Sequence, residues 1–141
     1  MTLYLDTSAI VKLYIEEAGS DLVRRGVEDA EVVVTCRIAY AEAAAAFATA
    51  VRMGRIPEVV SQGAMMDMAS DWASFSVVDI VQQVVEMAAN LSVRYALRGY
   101  DAVHLAAALR YSRGAQTPTA FCCWDVRLNE AAEACGLTVY R

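Results

Sequence analysis

Short apolar runs alternate with longer amphipathic stretches along the chain, which predicts strands and helices in turn. The apolar runs, such as the consecutive valines at 32–34, are typical of strands buried on both faces of a parallel sheet. The longer stretches carry apolar residues three and four positions apart, and several of them end at a glycine. Strands are predicted at residues 3–5, 31–36, 76–80, 119–124 and 137–140, and helices at 8–17, 19–29, 37–53, 59–75, 80–97, 101–112 and 126–135.

This alternation of strands and helices indicates the fold class. Helices of this length between successive strands act as right-handed crossovers, so the strands are expected to form a parallel sheet that is covered on both faces. The class is therefore α/β. Because no repeat, low-complexity tract or linker interrupts the chain, we expect a single domain over residues 1–141.

Composition adds an expectation about partners and location. Hydrophobic residues make up 57% of the chain and the mean hydropathy is +0.34, which suggests that a second subunit or a partner protein covers some apolar surface. The longest apolar stretch, 38–51, is too short to span a bilayer and contains Glu42. Since the N-terminus also lacks the features of a signal peptide, we expect a cytoplasmic protein. The four cysteines form no CxxC pair and are expected to be reduced thiols rather than zinc ligands.

Three aspartates fall where the helices of the predicted sheet begin. In an open parallel sheet the ligand crevice lies beyond the carboxyl ends of the strands. Asp6 follows the first strand, Asp125 follows the fourth, and Asp101 opens a predicted helix. A fourth acid, Glu42, lies in an alanine-rich helix, where a charge has no evident structural reason.

Two interpretations of these acids remain open at this point. Each of the three aspartates could simply cap a helix, because Asp is a favoured N-cap residue. Glu42 cannot be explained in that way, and it must be exposed, ion-paired or compensated by a cation. Several carboxylates at one point would repel each other unless a cation lay between them, and a set without His or Cys favours Mg²⁺ or Mn²⁺ over zinc. Such a site suits phosphoryl transfer to water.

Four motifs together resemble a known family. LYLDTSAIVKLY, AYAE, YDAVHLAAAL and CWDVRLNEAAEACGL occur in this order and cover essentially the whole chain. They resemble a PIN domain, and more narrowly a VapC-type toxin ribonuclease of a type II toxin–antitoxin system. The resemblance implies a three-layer α/β/α sandwich with a central parallel sheet and a Mg²⁺- or Mn²⁺-dependent endoribonuclease, in which a metal-activated water hydrolyses RNA phosphodiesters.

The resemblance also implies roles for individual residues and partners. Asp6, Glu42, Asp101 and Asp125 would be the catalytic metal ligands, and Ser8 would support the metal or its water. A cognate antitoxin protein and a homodimer are the implied partners. The chain departs from the family pattern at the position before the fourth acid, where a small or hydroxyl residue is usual and Trp124 stands instead.

Two further features bear on this hypothesis. The net charge of −5 is unusual for a protein that binds RNA, although two bound divalent ions would offset the four acids. Arg98 and Lys12, which lie nearest in sequence to the acids, are the favoured candidates for phosphate contacts. His104 is the single histidine, and because a histidine-based ribonuclease usually needs both an acid and a base, we expect it to have a structural or outer-shell role.

Three other functions are compatible with parts of this pattern. An aspartyl-phosphate phosphatase also begins with a strand and an Asp, but it typically has a second acid at the position that Ser8 occupies here. A PIN-like nuclease of RNA processing, without an antitoxin, remains an alternative. A catalytically inactive module that binds RNA or protein would be favoured if one of the four acids were missing, and all four are present.

Overall fold

Five parallel strands form one sheet at the centre of the molecule. The structure is a computed structural model that describes residues 1–141. The strands lie in the order β3-β2-β1-β4-β5, and every neighbouring pair is parallel. Their bounds are β1 Thr2–Leu5, β2 Val32–Cys36, β3 Ser76–Val78, β4 Thr119–Cys122 and β5 Thr138–Val139.

Seven helices flank this sheet in two groups. The helices α1 to α4 contact one another, and α5 to α7 form a second group of contacting helices. Their bounds are α1 Thr7–Tyr14, α2 Ser20–Asp29, α3 Ala39–Arg52, α4 Glu58–Trp72, α5 Gln82–Tyr95, α6 Gly99–Gly114 and α7 Val126–Ala134. The predicted three-layer α/β/α arrangement with a central parallel sheet is confirmed. No helix combines the length and the apolar character that crossing a bilayer requires.

The core is built around the central strand β1. Leu3, Tyr4 and Leu5 are completely buried, because β1 has a neighbouring strand on each side and helices on both faces. The Tyr4 ring stacks on Phe121 of β4 with centroids 5.4 Å apart. The apolar runs in the sequence therefore mark the interior of the sheet, as expected for parallel strands.

The ends of several elements differ from the prediction. The strand predicted at 76–80 ends at Val78 and the strand predicted at 119–124 ends at Cys122, so Trp124 lies outside the sheet. The helix predicted at 37–53 begins at Ala39, which places Glu42 in its first turn. The helix predicted to open at Asp101 begins at Gly99, with Arg98 as its N-cap. Hydrophobic periodicity does not mark these ends because cap geometry and neighbouring strands decide them.

The strand order creates one crevice at the carboxyl edge of the sheet. From β1 the chain moves outwards through β2 to β3, and it then returns to add β4 and β5 on the other side. The order therefore reverses between β1 and β4, which is where ligands bind in open α/β sheets. Asp6 directly follows β1, and Asp125 comes three residues after the end of β4. The topology thus brings together two acids that are far apart in sequence.

The four cysteines are free thiols, and their burial predicts which of them reacts. Cys36, Cys122 and Cys123 are buried, whereas Cys135 is partly exposed. Burial raises the pKa of Cys122 to about 12, and it raises the pKa of Cys123 as well. Against the effect of burial, contacts with His104 lower the pKa of Cys36, but this thiol is completely buried and the reagent cannot reach it. Iodoacetamide at pH 8 should therefore alkylate Cys135 alone in the folded protein and all four thiols in urea. Mass spectrometry would count the adducts, and rapid double alkylation of folded protein would contradict this assignment.

Candidate functional site

Asp6 is the most buried of the four acids and caps α1. Its side chain is 5% exposed, and Oδ1 accepts hydrogen bonds from the Ala9 backbone N–H at 3.0 Å and from Ser8 Oγ at 2.6 Å. Its other oxygen, Oδ2, has no protein donor. Oδ2 is not fully buried, because the single fully buried side-chain oxygen or nitrogen without a partner is Thr119 Oγ1. Desolvation raises the pKa of Asp6, and the charge of Asp101 adds to the rise. Asp6 is therefore both a helix cap and a carboxylate with a free oxygen.

Asp125 and Asp101 lie on either side of one arginine. Asp125 caps α7 through Oδ1, which accepts from the Leu128 N–H at 2.8 Å. Asp101 caps nothing, although it lies in the first turn of α6. Arg98 donates from Nε to Asp101 Oδ2 at 2.8 Å, and a terminal guanidinium nitrogen lies 3.9 Å from Asp125 Oδ2. The capping explanation therefore holds for Asp6 and Asp125 and is wrong for Asp101.

Glu42 is held by two side chains from other elements. Its Oε1 accepts hydrogen bonds from Thr7 Oγ1 at 2.6 Å and from His104 Nε2 at 2.8 Å. Desolvation alone would raise the pKa of Glu42, but the hydrogen bonds from His104 and Thr7 outweigh it and lower the pKa. Glu42 is thus an ionised carboxylate with one oxygen fixed and Oε2 without a protein donor. Arg37 is not its partner and instead pairs with Asp79.

His104 links Glu42 to the interior of the sheet. His104 is 2% exposed, and its Nδ1 lies 3.0 Å from Tyr4 Oη and 3.6 Å from Cys36 Sγ. Burial by itself would lower the pKa of His104, but its contacts with Cys36 and Glu42 and the charge of Asp6 raise it to about 10. With a proton on both nitrogens the ring would donate to Glu42 from Nε2 and to Tyr4 from Nδ1, which would place a buried positive charge behind the acids.

The four carboxylates share one property that bears on metal binding. Each has one oxygen fixed by a helix N–H or a side chain, and a second oxygen that is free or contacted by Arg98 alone. No three His, Cys, Asp or Glu side chains lie close enough to hold one ion as they stand. This donor set nevertheless fits Mg²⁺ or Mn²⁺, because such ions take oxygen ligands and typically bind one or two carboxylates, several waters and substrate phosphates.

Ser8 and Trp124 connect Asp6 and Asp125, the two aspartates that cap helices. Ser8 Oγ donates to Asp6 and accepts from the Trp124 backbone N–H at 3.2 Å. Trp124 is 37% exposed, and Lys12 Nζ lies 4.9 Å from the centroid of its ring. Gly19, which has φ of +95°, lies so close that a Cβ there would be 2.6 Å from Trp124 Cζ2. Trp124 is therefore fixed by Lys12 and Gly19 beside the acids. Its presence leaves the hydrogen bond from Leu128 N–H to Asp125 intact.

Two residues that contact Glu42 and His104 could not be predicted from the sequence. From the sequence, Thr7 is predicted only to lie at the start of a helix, and Tyr4 only to occupy an apolar position in a strand. Their partners lie 35 to 100 residues away, so local spacing contains no information about them. Arg98 lies at the acids, as its position in sequence suggests, whereas Lys12 pairs with Glu17 at the Trp124 ring.

A family model, curated relatives and a solved structure all resemble this chain. The family model of the PIN domain matches residues 3–113. The chain is 36% identical over 136 residues to ribonuclease VapC45 and to ribonuclease VapC49, both of Mycobacterium tuberculosis, and each alignment covers 96% of this chain and 92% of the relative. The solved structure of VapC20 from Mycobacterium tuberculosis, described as a toxin that cleaves the sarcin–ricin loop, is similar with a TM-score of 0.68. That match covers 99% of this chain and 98% of VapC20 at 18% identity, so it concerns the fold alone.

Proposed function

Since the chain belongs to the PIN domain family and, within it, to the VapC-type ribonucleases, we propose that it is the RNA-cleaving toxin of a toxin–antitoxin pair and a Mg²⁺- or Mn²⁺-dependent endoribonuclease. The observation that carries this proposal is the cluster of four carboxylates at the point where the strand order reverses. In each of them one oxygen accepts a hydrogen bond from the protein, and the second is free or contacted by Arg98 alone. A purely structural set of caps would not include Glu42 or Asp101.

The proposed metal ligands divide into two kinds. Asp6 and Asp125 are fixed by the N-termini of α1 and α7, so the backbone positions the second oxygen of each carboxylate. Asp101 and Glu42 come from the first turns of α6 and α3. A bound divalent cation supplies Lewis acidity, which lowers the pKa of a water and offsets the negative charge of a phosphodiester.

The remaining polar residues orient this machinery. Thr7 and His104 hold one oxygen of Glu42, and Ser8 does the same for Asp6, so neither carboxylate has to be ordered when the substrate arrives. Arg98 is 81% exposed at the side chain, and it can move from Asp101 and Asp125 to a phosphate once a cation takes over those acids. This local positive charge offsets the acidic character of the whole chain where RNA would bind.

We also propose that an apolar surface on α3 and α4 contacts the antitoxin or a second copy of the chain. Val59 and Met66 on α4 are 70% and 73% exposed, and Met53 at the end of α3 is 60% exposed. Val59 and Met66 are seven residues apart on α4 and therefore lie on the same face of that helix. Exposed apolar side chains on one face are typical of protein–protein contacts, and methionines adapt to partner helices.

Metal dependence is tested by adding and removing the cation. Purified protein without antitoxin should cut a few sites in total RNA with Mg²⁺ or Mn²⁺, because charge on the phosphate must be offset. EDTA should reduce cleavage by at least about 100-fold, and excess Mg²⁺ should restore it. Gel analysis of end-labelled fragments should show 5′-phosphate ends. Cleavage that persists in EDTA, or no cleavage of any RNA by folded protein, would contradict the proposed function.

A further inference from the structure

A cleft of about 660 Å³ opens beside the acids, between α5 and α6. Its floor is formed by small or apolar side chains, including Val85, Ala88 and Val103. Two of the proposed metal ligands, Glu42 and Asp101, form part of its wall. The α5–α6 cleft is therefore continuous with the reaction site, although the chemistry described above does not use it.

An aromatic side chain lies at the rim of the α5–α6 cleft. Tyr100 immediately precedes Asp101, lines the cleft and is 60% exposed. Its ring stacks on no other aromatic side chain in the structure. Arg98 and Ser92 line the same cleft and add polar groups to its apolar floor. An exposed ring, an apolar floor and a few hydrogen-bonding groups are what binding of an unpaired base requires.

We propose that the α5–α6 cleft binds one unpaired nucleobase next to the scissile phosphate, with Tyr100 as its stacking surface. The inference rests on the proposed function and names a residue that would select the base beside the cut. The reason is that the nucleotides on either side of a bound phosphodiester are covalently attached to it. A phosphodiester held at Glu42 and Asp101 has neighbouring nucleotides attached to it, and the cleft opens directly from those two residues.

Double-stranded RNA does not fit this arrangement. The bases of a duplex are paired and stacked inside the helix, and the groove that carries most of their edges is too deep and narrow for side chains to read. A base can enter a side cleft only after it leaves the stack, which costs little in a loop or a single strand. A protein segment could also enter the cleft, but the RNA chain must pass its mouth in every turnover. The nucleobase is therefore the occupant that the geometry favours.

Binding of short RNAs tests this inference directly. Fluorescein-labelled oligo(U) and oligo(A) of twelve nucleotides, an abasic ribose-phosphate strand of the same length and a twelve-base-pair duplex would be titrated in Mg²⁺. The protein would carry Asp6→Asn to prevent cleavage. Tyr100→Ala should weaken binding of the intact single strands by about five-fold or more and leave the abasic strand unaffected, because it removes stacking alone. Tyr100→Phe keeps the ring and should bind like the parent.

The outcomes separate this inference from the proposed function. The nucleobase site would be overturned if Tyr100→Ala and its parent bound intact single strands with equal affinity. It would also be overturned if a duplex bound as tightly as a single strand. The cleft would then be assigned to a protein partner. If the wild-type chain cleaves RNA in Mg²⁺ while this result is obtained, the function stands and the site fails. If no RNA is cleaved but the Tyr100 effect on intact strands persists, the site stands on a protein that binds RNA.

Discussion

Asp6→Asn is expected to reduce RNA cleavage by at least about 100-fold, the size of effect found when one preorganised electrostatic group is removed from an active site. The fold should survive, because Asn is as good an N-cap as Asp and its oxygen can still accept from Ala9 and Ser8. Burial raises the pKa of Asp6, so the charge costs free energy in the folded state and its removal should leave the melting temperature unchanged or higher.

The decisive comparison uses the same chemical change at an exposed position. Asp67 lies on the surface of α4 and forms no ion pair. Asp67→Asn should cleave RNA at the wild-type rate, measured with the same labelled substrate and the same metal. Circular dichroism and thermal melts would show that both variants are folded. Full activity in a folded Asp6→Asn variant would reduce Asp6 to a helix cap and would contradict the proposed metal site.

His104→Leu is expected to affect both folding and activity. It removes the donor to Glu42 and leaves Tyr4 Oη without its buried partner, which should lower the free energy of unfolding by about 2–4 kcal/mol. Since His104 positions a proposed metal ligand, activity should fall by about 10- to 100-fold. Urea denaturation and cleavage assays would measure the two effects separately.

Two conservative variants distinguish positioning from simple core structure. The amide nitrogen of Gln reaches about as far as Nε2, so His104→Gln can still donate to Glu42. The side chain of Asn is shorter and can replace the contact of Nδ1 with Tyr4 instead. If the Glu42 contact matters for catalysis, Gln should restore most of the activity and Asn should restore little, at similar stability. Equal activity of the Gln and Asn variants would show that His104 contributes to folding alone.

The pH dependence of stability should follow the charge on His104. Its pKa is raised from an ordinary value of 6.5 to about 10, so the folded state holds its proton more tightly than the unfolded state does. The stabilisation is complete below pH 6.5 and is lost as the pH rises through about 10. In EDTA, the difference in unfolding free energy between wild type and His104→Gln should therefore shrink by on the order of 4 kcal/mol between pH 6 and pH 10. A difference that stays constant or grows would mean that the ring is neutral.

The sequence determined the fold class and the location of the candidate chemistry. Strand-length apolar runs such as 32–34 and helix-length amphipathic runs alternate, and hydrophobic burial allows few arrangements of that pattern besides a covered parallel sheet. Asp6 follows β1 directly and Asp125 comes three residues after the end of β4, so a parallel sheet brings both acids to one edge. The four motifs also sufficed to indicate the family.

The tertiary structure alone decided how these groups are used. Spacing does not reveal that Asp6 and Asp125 cap helices while Asp101 instead contacts Arg98, because the exact helix starts depend on local cap geometry. It does not reveal that Glu42 and Tyr4 meet at His104, since contacts across 62 and 100 residues arise only when the sheet and its helices are assembled. The cleft beside Tyr100 likewise exists only between packed helices, because a cavity is a property of surfaces brought together in space.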